Sequence, residues 1–309
     1  MVTGVRIVSL VPHATELLFE LGLDEEVVGV THECDHPPAA RLLPRVTADV
    51  LPGGLGAAEI DAAVRERTLS GEAIYELDRA VLAALQPDLI VTQALCPVCA
   101  VSYDEVAELA DELPSRPHVI ALDPKTVGET LADVRTVAKA TGRVERGAEL
   151  LQGAAQRIER VESAIAQASA PRPRVAALEW LEPVYVAGHW IPQLIEMAGG
   201  VDALGLPGEP SRTESWETVA AAQPDIVVVM PCGYDAQRAR QEAELFAGGL
   251  ARLGASGVVA VNASAYFSRP GPRLIDGLEL LAHIFHPELF GDPPPGAEAL
   301  PVEVAAVSG

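Results

Sequence analysis

Two cysteines separated by two residues form the strongest metal-binding pattern in the chain. The segment Cys96-Pro97-Val98-Cys99 carries two thiols at a spacing with which proteins hold one soft metal ion. A complete site needs two further ligands, which Cys34, Cys232 or His189 could supply. The pattern therefore predicts zinc or an iron–sulfur centre on these residues. Two other interpretations stay open: buried structural cysteines, which pack as small apolar side chains, and a redox-active pair.

Histidines form a second group of candidate ligands, because a neutral imidazole is a common metal ligand. His13 and His189 each follow a predicted strand. The segment His32-Glu33-Cys34-Asp35-His36 places five potential ligands in one loop, and at most one or two of them can reach the same ion. The alternative interpretation is that these side chains cap helices or bind loop carbonyl groups.

Aromatic residues make up only 4% of the chain, and several lie in predicted loops of its second half. Trp190 follows His189, and Tyr266 and Phe267 stand just before Arg269. Aromatic rings suit a flat apolar ligand such as a corrin or a porphyrin, and an arginine suits the amide or carboxylate groups on its rim. The alternative for the aromatic residues is packing in the core.

Charge and length restrict the class of protein. The 309 residues carry 22 Lys and Arg against 44 Asp and Glu, a formal net charge of −22. A surface of this sign repels phosphate backbones, so we predict no nucleic-acid partner. The length suggests two domains.

Because a strand is predicted from residue 5, we expect a cytoplasmic protein, or a periplasmic or extracellular one if a leader was removed.

Short apolar runs alternate with segments of helical period, which predicts an α/β fold built on parallel sheets. Strands are predicted at 5–11, 27–30, 89–92, 119–122, 175–178, 226–229 and 258–261. A nearly unbroken helical composition from 126 to about 168 predicts one long helix. These patterns divide the chain into a lobe at 1–125, a bridging helix segment at 126–170, a second lobe at 171–290 and a disordered tail at 291–309.

An internal repeat supports two similar lobes. Gln86-Pro87-Asp88 precedes one predicted strand, and Gln223-Pro224-Asp225 precedes another. Proline cannot continue a helix, so each segment is predicted to end a helix and open a buried strand. Ligands bind beyond the carboxyl ends of the strands in open parallel sheets. Since all four cysteines follow predicted strands, we expect them to face one cleft.

Several motifs together resemble those of helical-backbone substrate-binding proteins, which serve ABC importers of cobalamin, haem and ferric siderophores. The motifs are Ser9-Leu10-Val11-Pro12, Asp35-His36-Pro37-Pro38, the two Gln-Pro-Asp segments, Ile195-Glu196-Met197-Ala198-Gly199-Gly200 and Arg269-Pro270-Gly271-Pro272-Arg273. They extend over residues 5–290, and within the family they are most similar to the cobalamin-binding branch.

The resemblance implies two Rossmann-like lobes joined by a long backbone helix, with the ligand held in the cleft between the lobes. It implies cobalamin as the ligand, an ABC permease as a partner, and Glu196 as the residue that docks on that permease. Glu33 falls roughly where the family has an aromatic residue against cobalamin, and Arg269 matches an arginine of the cleft. The predicted ligand-binding residues are His13, Glu33, Trp190, Tyr266, Phe267 and Arg269.

Two hypotheses follow. The first is non-catalytic binding of a metal-containing cofactor, most specifically cobalamin, by a monomer, because the sequence has neither a glycine-rich phosphate loop nor a Gly-x-Ser-x-Gly nucleophile motif. The second is a cytoplasmic metalloprotein or enzyme with zinc or an iron–sulfur centre on the Cys/His set named above.

Overall fold

The chain forms two compact units. The computed structural model describes residues 4–51, 54, 57–70, 74–93 and 103–304. The first unit contains residues 1–124 and 129–151, and the second contains residues 125–128 and 152–309. Among the described residues, no helix combines the length and the apolar character needed to cross a membrane.

The first unit is an α/β layer around a parallel sheet. Its elements are β1 (Ile7–Ser9), α1 (Pro12–Glu20), β2 (Val27–Val30), a 3₁₀ helix (Pro38–Leu42), β3 (Thr47–Asp49), α2 (Ala57–Ser70), β4 (Tyr75–Leu77), α3 (Arg79–Leu85), β5 (Leu89–Gln93), α4 (Tyr103–Glu112), β6 (His118–Leu122) and α5 (Val127–Ala140). The sheet has the order β2-β1-β5-β6, with every neighbouring pair parallel. Its strands are buried apolar runs with a core cluster on each face, as parallel sheets require. A separate antiparallel pair joins β3 to β4.

The next helix is α6 (Val144–Ala168), and α5 and α6 each have residues in both units. The second unit continues with β7 (Arg174–Leu181), β8 (Val184–Val186), α7 (Ile191–Met197), β9 (Val201–Asp202), β10 (Arg212–Glu214), α8 (Trp216–Ala221), β11 (Ile226–Val229), α9 (Ala236–Leu245), α10 (Ala247–Ala251), β12 (Gly257–Val261), α11 (Ala263–Tyr266), α12 (Leu274–Phe285), α13 (Pro287–Phe290) and β13 (Ala299–Pro301). Its sheet has the order β10-β8-β7-β11-β12-β13, and β9 also pairs with β7. The strands β7, β11 and β12 are parallel to one another, and β8, β10 and β13 are antiparallel to their neighbours.

Two predictions about the chain's organisation are wrong. The segment 126–170 is not one helix: α5 ends at Ala140, and α6 begins at Val144. Gly142 lies between them with φ of +71°, a left-handed conformation that glycine adopts readily at a helix end. The segment 291–309 is not a disordered tail throughout, because β13 pairs with β12 and buries Ala297 and Val302 beside it. The proposed domain boundaries otherwise stay a prediction.

The Gln-Pro-Asp repeat has the same structural role in both units. The carboxylate of Asp88 accepts a hydrogen bond of 2.8 Å from the backbone N–H of Arg6, at the start of the first unit's central strand. The carboxylate of Asp225 accepts one of 2.8 Å from the N–H of Arg174, at the start of β7. Each aspartate thus aligns the strand that it opens with the neighbouring parallel strand.

Candidate ligand-binding site

The carboxyl edge of the first unit's sheet is occupied by the start of α1 and by the loop that follows β2. His13 is the second residue of α1 and is buried. Cys34 is also buried, with its Sγ 3.0 Å from Oγ1 of Thr15 and 3.1 Å from Oγ1 of Thr31. Cys34 belongs to the core cluster beneath the sheet edge. Its environment is therefore the one expected for a structural thiol, not for a metal ligand at the surface.

The other cysteines give no support to a shared metal site. Cys232 is exposed in the loop that follows β11. Cys96 and Cys99 lie outside the described residues. Within the described ranges, no group of three or more His, Cys, Asp or Glu side chains is arranged to hold a metal ion. Zinc or an iron–sulfur centre is therefore unsupported.

An aromatic cluster that the sequence pattern did not reveal lies beside the same loop. The hydroxyl group of Tyr75, on β4, donates a hydrogen bond of 3.1 Å to the carboxylate of Glu33. The ring of Tyr75 lies 5.1 Å from the imidazole ring of His32, measured between centroids, with an angle of 53° between the planes. Glu33 itself is exposed. The first unit thus has a tyrosine next to the position where the resemblance places an aromatic residue.

In the second unit, His189 is held by its backbone. Its φ is +50°, in the left-handed region that few side chains favour. Its N–H donates a hydrogen bond of 2.6 Å to the carbonyl of Glu209, and its carbonyl accepts one of 2.9 Å from Gly208. These two bonds fix the strained turn that leads into α7, so the position of His189 is determined by the neighbouring loop.

Trp190 and Phe267 have structural roles. The indole Nε1 of Trp190 donates a hydrogen bond of 2.8 Å to the carbonyl of Phe267, and the indole is buried. Phe267 is only 2% exposed and packs against Gly277 of α12. A ligand cannot stack on a ring buried to this extent unless the core opens. The interpretation as core packing therefore fits Phe267 better than the predicted ligand contact.

Tyr266 and Arg269 follow β12 on the same side of the parallel strands. The hydroxyl group of Tyr266 donates a hydrogen bond of 3.0 Å to the carbonyl of Gly296, in the segment that precedes β13. The guanidinium of Arg273 lies 5.9 Å from the centre of the Tyr266 ring, within cation–π range. Arg269 is half-buried, and its carbonyl accepts a hydrogen bond from Gly271. Tyr266 is only 8% exposed and its ring is held from two sides, so a ligand could reach only the small exposed part of this side chain.

A half-buried carboxyl group near the carboxyl end of β7, that of Glu179, was not among the predicted site residues. Glu179 stands where the pairing of β7 with β8 shifts register, between Leu178 and Trp180. Burial raises the pKa of Glu179 to about 7. A hydrogen bond from Ser211 has the opposite, smaller effect. Ser211 also accepts a hydrogen bond of 3.1 Å from Gly188. Near pH 7 this carboxyl group therefore exists in both protonation states, and its neutral form can donate and accept hydrogen bonds.

The proposed docking residue, Glu196, forms an ion pair within the second unit. Its carboxylate binds the guanidinium of Arg172 and accepts a hydrogen bond of 3.3 Å from the N–H of Asp202. The two side chains of the pair are 44% and 45% exposed. Glu196 is thus accessible, and an arginine of a partner would compete with Arg172 for it.

Sequence comparison places this arrangement in a known family. Residues 7–247 match the family described as "Periplasmic binding protein", and the chain belongs to that family. The vitamin B12-binding protein of Vibrio cholerae serotype O1 is 24% identical over 277 residues, which cover 89% of this chain and 86% of that protein. The vitamin B12-binding protein of Pectobacterium carotovorum is 24% identical over 275 residues, or 87% and 84% of the two chains.

Solved structures share the fold. The periplasmic haem binding protein of Pseudomonas aeruginosa matches with a TM-score of 0.69 and 22% identity, over 97% of this chain and 96% of that one. The periplasmic vitamin B12 binding protein BtuF of Vibrio cholerae matches with a TM-score of 0.66 and 23% identity, over 93% and 98%. The predicted family and α/β fold class are confirmed. The expected cytoplasmic location is not supported, because the relatives are described as periplasmic.

Proposed function

We propose that this chain is the binding component of an ABC importer and that its ligand is a corrinoid, most specifically cobalamin. The observation that carries the proposal is the similarity, over nearly the whole chain, to proteins named vitamin B12-binding. Function consists of binding and release, with no chemical conversion of the ligand.

The chemistry of the second unit supports a ligand rimmed by amides. An amide both donates and accepts hydrogen bonds, and so does the neutral form of Glu179. Arg269 can donate to amide oxygens. We propose Tyr266 and Arg269 as ligand contacts, since they lie beyond the carboxyl end of β12.

We propose that aromatic rings of the first unit also contact the ligand. Tyr75 and His32 pair their rings next to the loop after β2, and Glu33 is fixed beside them. A flat macrocycle with apolar faces can pack favourably against such rings. We therefore retain Glu33 as a proposed ligand-binding residue and add Tyr75. His13 is buried at the start of α1, and we do not retain it as a ligand contact.

Titration with cyanocobalamin tests the proposed function, with quenching of tryptophan fluorescence as the signal. All three tryptophans (Trp180, Trp190 and Trp216) lie in the second unit, so the signal reports binding there. We expect saturable quenching by one cyanocobalamin per chain, and binding about tenfold weaker after Tyr266→Ala or Arg269→Ala. Loss of one interface side chain commonly has an effect of this size.

Two exposed positions provide matched controls. Leu245→Ala changes an exposed residue at the end of α9, and Arg160→Ala removes an exposed guanidinium from α6. Both variants should bind cyanocobalamin as the unmodified chain does. The proposal is wrong if the unmodified chain shows no saturable quenching, or if all four variants bind equally well, which would remove Tyr266 and Arg269 from the site.

Delivery to a permease is proposed through Glu196. Its carboxylate is accessible, and its partner Arg172 is equally exposed, so the ion pair can open at little cost in free energy. Uptake of cobalamin in a reconstituted importer tests this role. Glu196→Gln should reduce uptake while cyanocobalamin binding stays unchanged. Unchanged uptake would exclude Glu196 from docking.

A further inference from the structure

The loop after β2 is held rigidly by arginine side chains. The guanidinium of Arg45 donates hydrogen bonds to the carbonyl of Thr31, at 2.5 Å, and to the carbonyl of Cys34, at 2.9 Å. Nε of Arg41 donates a bond of 3.0 Å to the carbonyl of Asp35. Three positions of the loop are thus fixed through their backbone carbonyl groups. A loop fixed in this way is suited to hold a binding group in place.

The side chains of the loop divide between the core and the surface. Cys34 points into the core, where its thiol contacts Thr15 and Thr31. His32 is half-buried, and Glu33 is exposed. The rigid loop therefore presents an imidazole and a carboxylate at the carboxyl edge of the sheet, the edge at which ligands bind in α/β folds.

The imidazole of His32 is oriented by a hydroxyl group. Its Nδ1 lies 2.8 Å from Oγ1 of Thr47, a buried residue of β3 that also accepts a hydrogen bond of 3.2 Å from the N–H of His32. When Nδ1 carries the proton and donates it to Thr47, Nε2 keeps its lone pair. Histidines that bind metals almost always have such an oxygen acceptor on the other ring nitrogen.

The ring of Tyr75 restricts the imidazole further. It packs against His32, and its hydroxyl group is tied to Glu33, so all three side chains hold one another. Among the described residues, none binds Nε2 of His32. An oriented imidazole with an available Nε2, next to an aromatic ring at a sheet edge, is the arrangement expected of an axial ligand to a metal in a flat ring.

We propose that Nε2 of His32 binds the open axial position of the metal at the centre of a corrin or a porphyrin ligand. The lone pair of Nε2 forms the bond to the metal, and the water that occupied the axial position leaves, so no electron is transferred. The inference rests on the proposed function, because it needs a ligand with a central metal. The sequence analysis counted His32 among the potential ligands of its loop but assigned the metal site to His189 and the cysteines.

Diaquocobinamide tests this inference separately from the proposed function. This corrinoid has no nucleotide base, so its axial waters can be replaced, whereas both axial positions of cyanocobalamin are occupied. We expect the visible bands of diaquocobinamide to shift on binding to the unmodified chain, and the shift to be lost in His32→Ala with at least tenfold weaker binding. Haemin, titrated in parallel, should show a shift that also depends on His32.

Two further variants separate ligation from folding. Thr47→Val removes the acceptor beside Nδ1 but keeps the imidazole, so we expect the band shift to remain and the affinity to fall about tenfold, as for other groups that orient metal ligands. His118→Ala changes an exposed histidine at the amino end of β6, away from the carboxyl edge, and should behave as the unmodified chain does.

The outcomes distinguish the two proposals. If cyanocobalamin binds but neither diaquocobinamide nor haemin shows a shift that depends on His32, the axial role is wrong and the proposed function stands. If cyanocobalamin does not bind but haemin shows the dependent shift, the corrinoid assignment is wrong and the axial role stands. If no probe binds, both proposals are wrong.

Discussion

The two units share an aspartate contact at the start of a parallel strand but differ at the carboxyl edge of the sheet, where ligands bind in α/β folds. In each unit an aspartate after a Gln-Pro turn accepts a hydrogen bond from the backbone N–H of an arginine, either just before β1 or at the first residue of β7. The preceding glutamines, Gln86 and Gln223, have φ of +45° and +48°. The repeat therefore preserves the start of the strands and leaves their carboxyl ends free to diverge.

The two units diverge after their first strand. In the first unit, β1 leads directly into α1, and the polar groups of the edge come from the loop after β2. In the second unit, β7 turns back through β8 before α7 begins, and the edge contains the half-buried carboxyl group of Glu179. The first unit thus offers an oriented imidazole, and the second offers a carboxyl group that changes charge near neutral pH.

The largest expected effect comes from a methyl group placed at the turn after β8. In Gly188→Ala the new Cβ would collide with the backbone carbonyl of Glu209 and lie 2.6 Å from the backbone nitrogen of Ser211. We expect a loss of about 3 kcal/mol or more in the free energy of unfolding of the second unit. Urea unfolding followed by tryptophan fluorescence measures it.

A glycine of the first unit is the matched comparison. In Gly29→Ala the nearest obstacle is Cδ1 of Leu85, at 2.5 Å, the end of a side chain that can rotate. We expect a loss of about 1 kcal/mol, measured by hydrogen exchange of the first unit's strands. An equal loss at both positions would show that backbone crowding does not distinguish the two sites.

The second prediction concerns the shared aspartate contact. Asp88→Ala and Asp225→Ala each remove a charged acceptor of a backbone N–H, so each should destabilise its own unit by about 2 kcal/mol. Hydrogen exchange of β1 and β7 measures the two effects separately. Asp111→Ala, at an exposed position of α4, is the control and should change neither. A strongly unequal pair would contradict equivalence of the repeat.

The third prediction is a pH dependence with a stated sign. The pKa of Glu179 is raised from 4.5 to about 7, so the folded unit binds the proton more tightly than the unfolded chain does. The stability that this proton contributes is complete below pH 4.5 and is lost as the pH rises through 7. Glu179→Gln should therefore be about 3 kcal/mol more stable than the unmodified chain at about pH 8, and equally stable at about pH 4.

The response to salt should distinguish Asp133, in the first unit, from Glu179. Its pKa is raised from 3.8 to about 7 by burial first, and then by the charges of Glu129 and Asp123. The sign is the same, so Asp133→Asn should also stabilise at about pH 8. Since salt screens the charge part of the effect, about 0.5 M NaCl should reduce the gain for Asp133→Asn and leave that for Glu179→Gln unchanged. Equal salt responses would mean that the stated causes are wrong.

The smallest effect is expected at the exposed ion pair of the second unit. Glu196→Ala removes the partner of Arg172, and exposed pairs contribute about 0.2–1 kcal/mol. We expect the free energy of unfolding of the second unit to change by no more than this amount, measured by thermal unfolding. A loss of several kcal/mol would show that Glu196 has a structural role that its exposure does not indicate.

The sequence predicted the parallel strands well because each is a continuous apolar run of buried residues. The prediction at 27–30 coincides with β2, and those at 89–92 and 226–229 match β5 and β11 to within one residue. The short antiparallel strands β8, β10 and β13 were missed, since three residues carry too little periodicity. The break between α5 and α6 did have a signal, Gly142, within the helical composition.

The candidate site was less predictable, because its contacts join residues that are distant in the chain. Tyr75 and Glu33 are 42 residues apart in the chain, and no sequence pattern near either residue predicts their hydrogen bond. Burial also decides between roles that composition leaves open. Phe267 and Cys34 have the residue types of ligand contacts, yet the structure packs both into a core.

Equilibrium dialysis of the chain against cyanocobalamin tests the corrinoid assignment most directly, with haemin in a parallel cell. We predict saturable retention of one cyanocobalamin per chain, with a dissociation constant of about 1 μM or lower, corresponding to at least about 8 kcal/mol of binding free energy. Retention of haemin alone, or of neither compound, would contradict it.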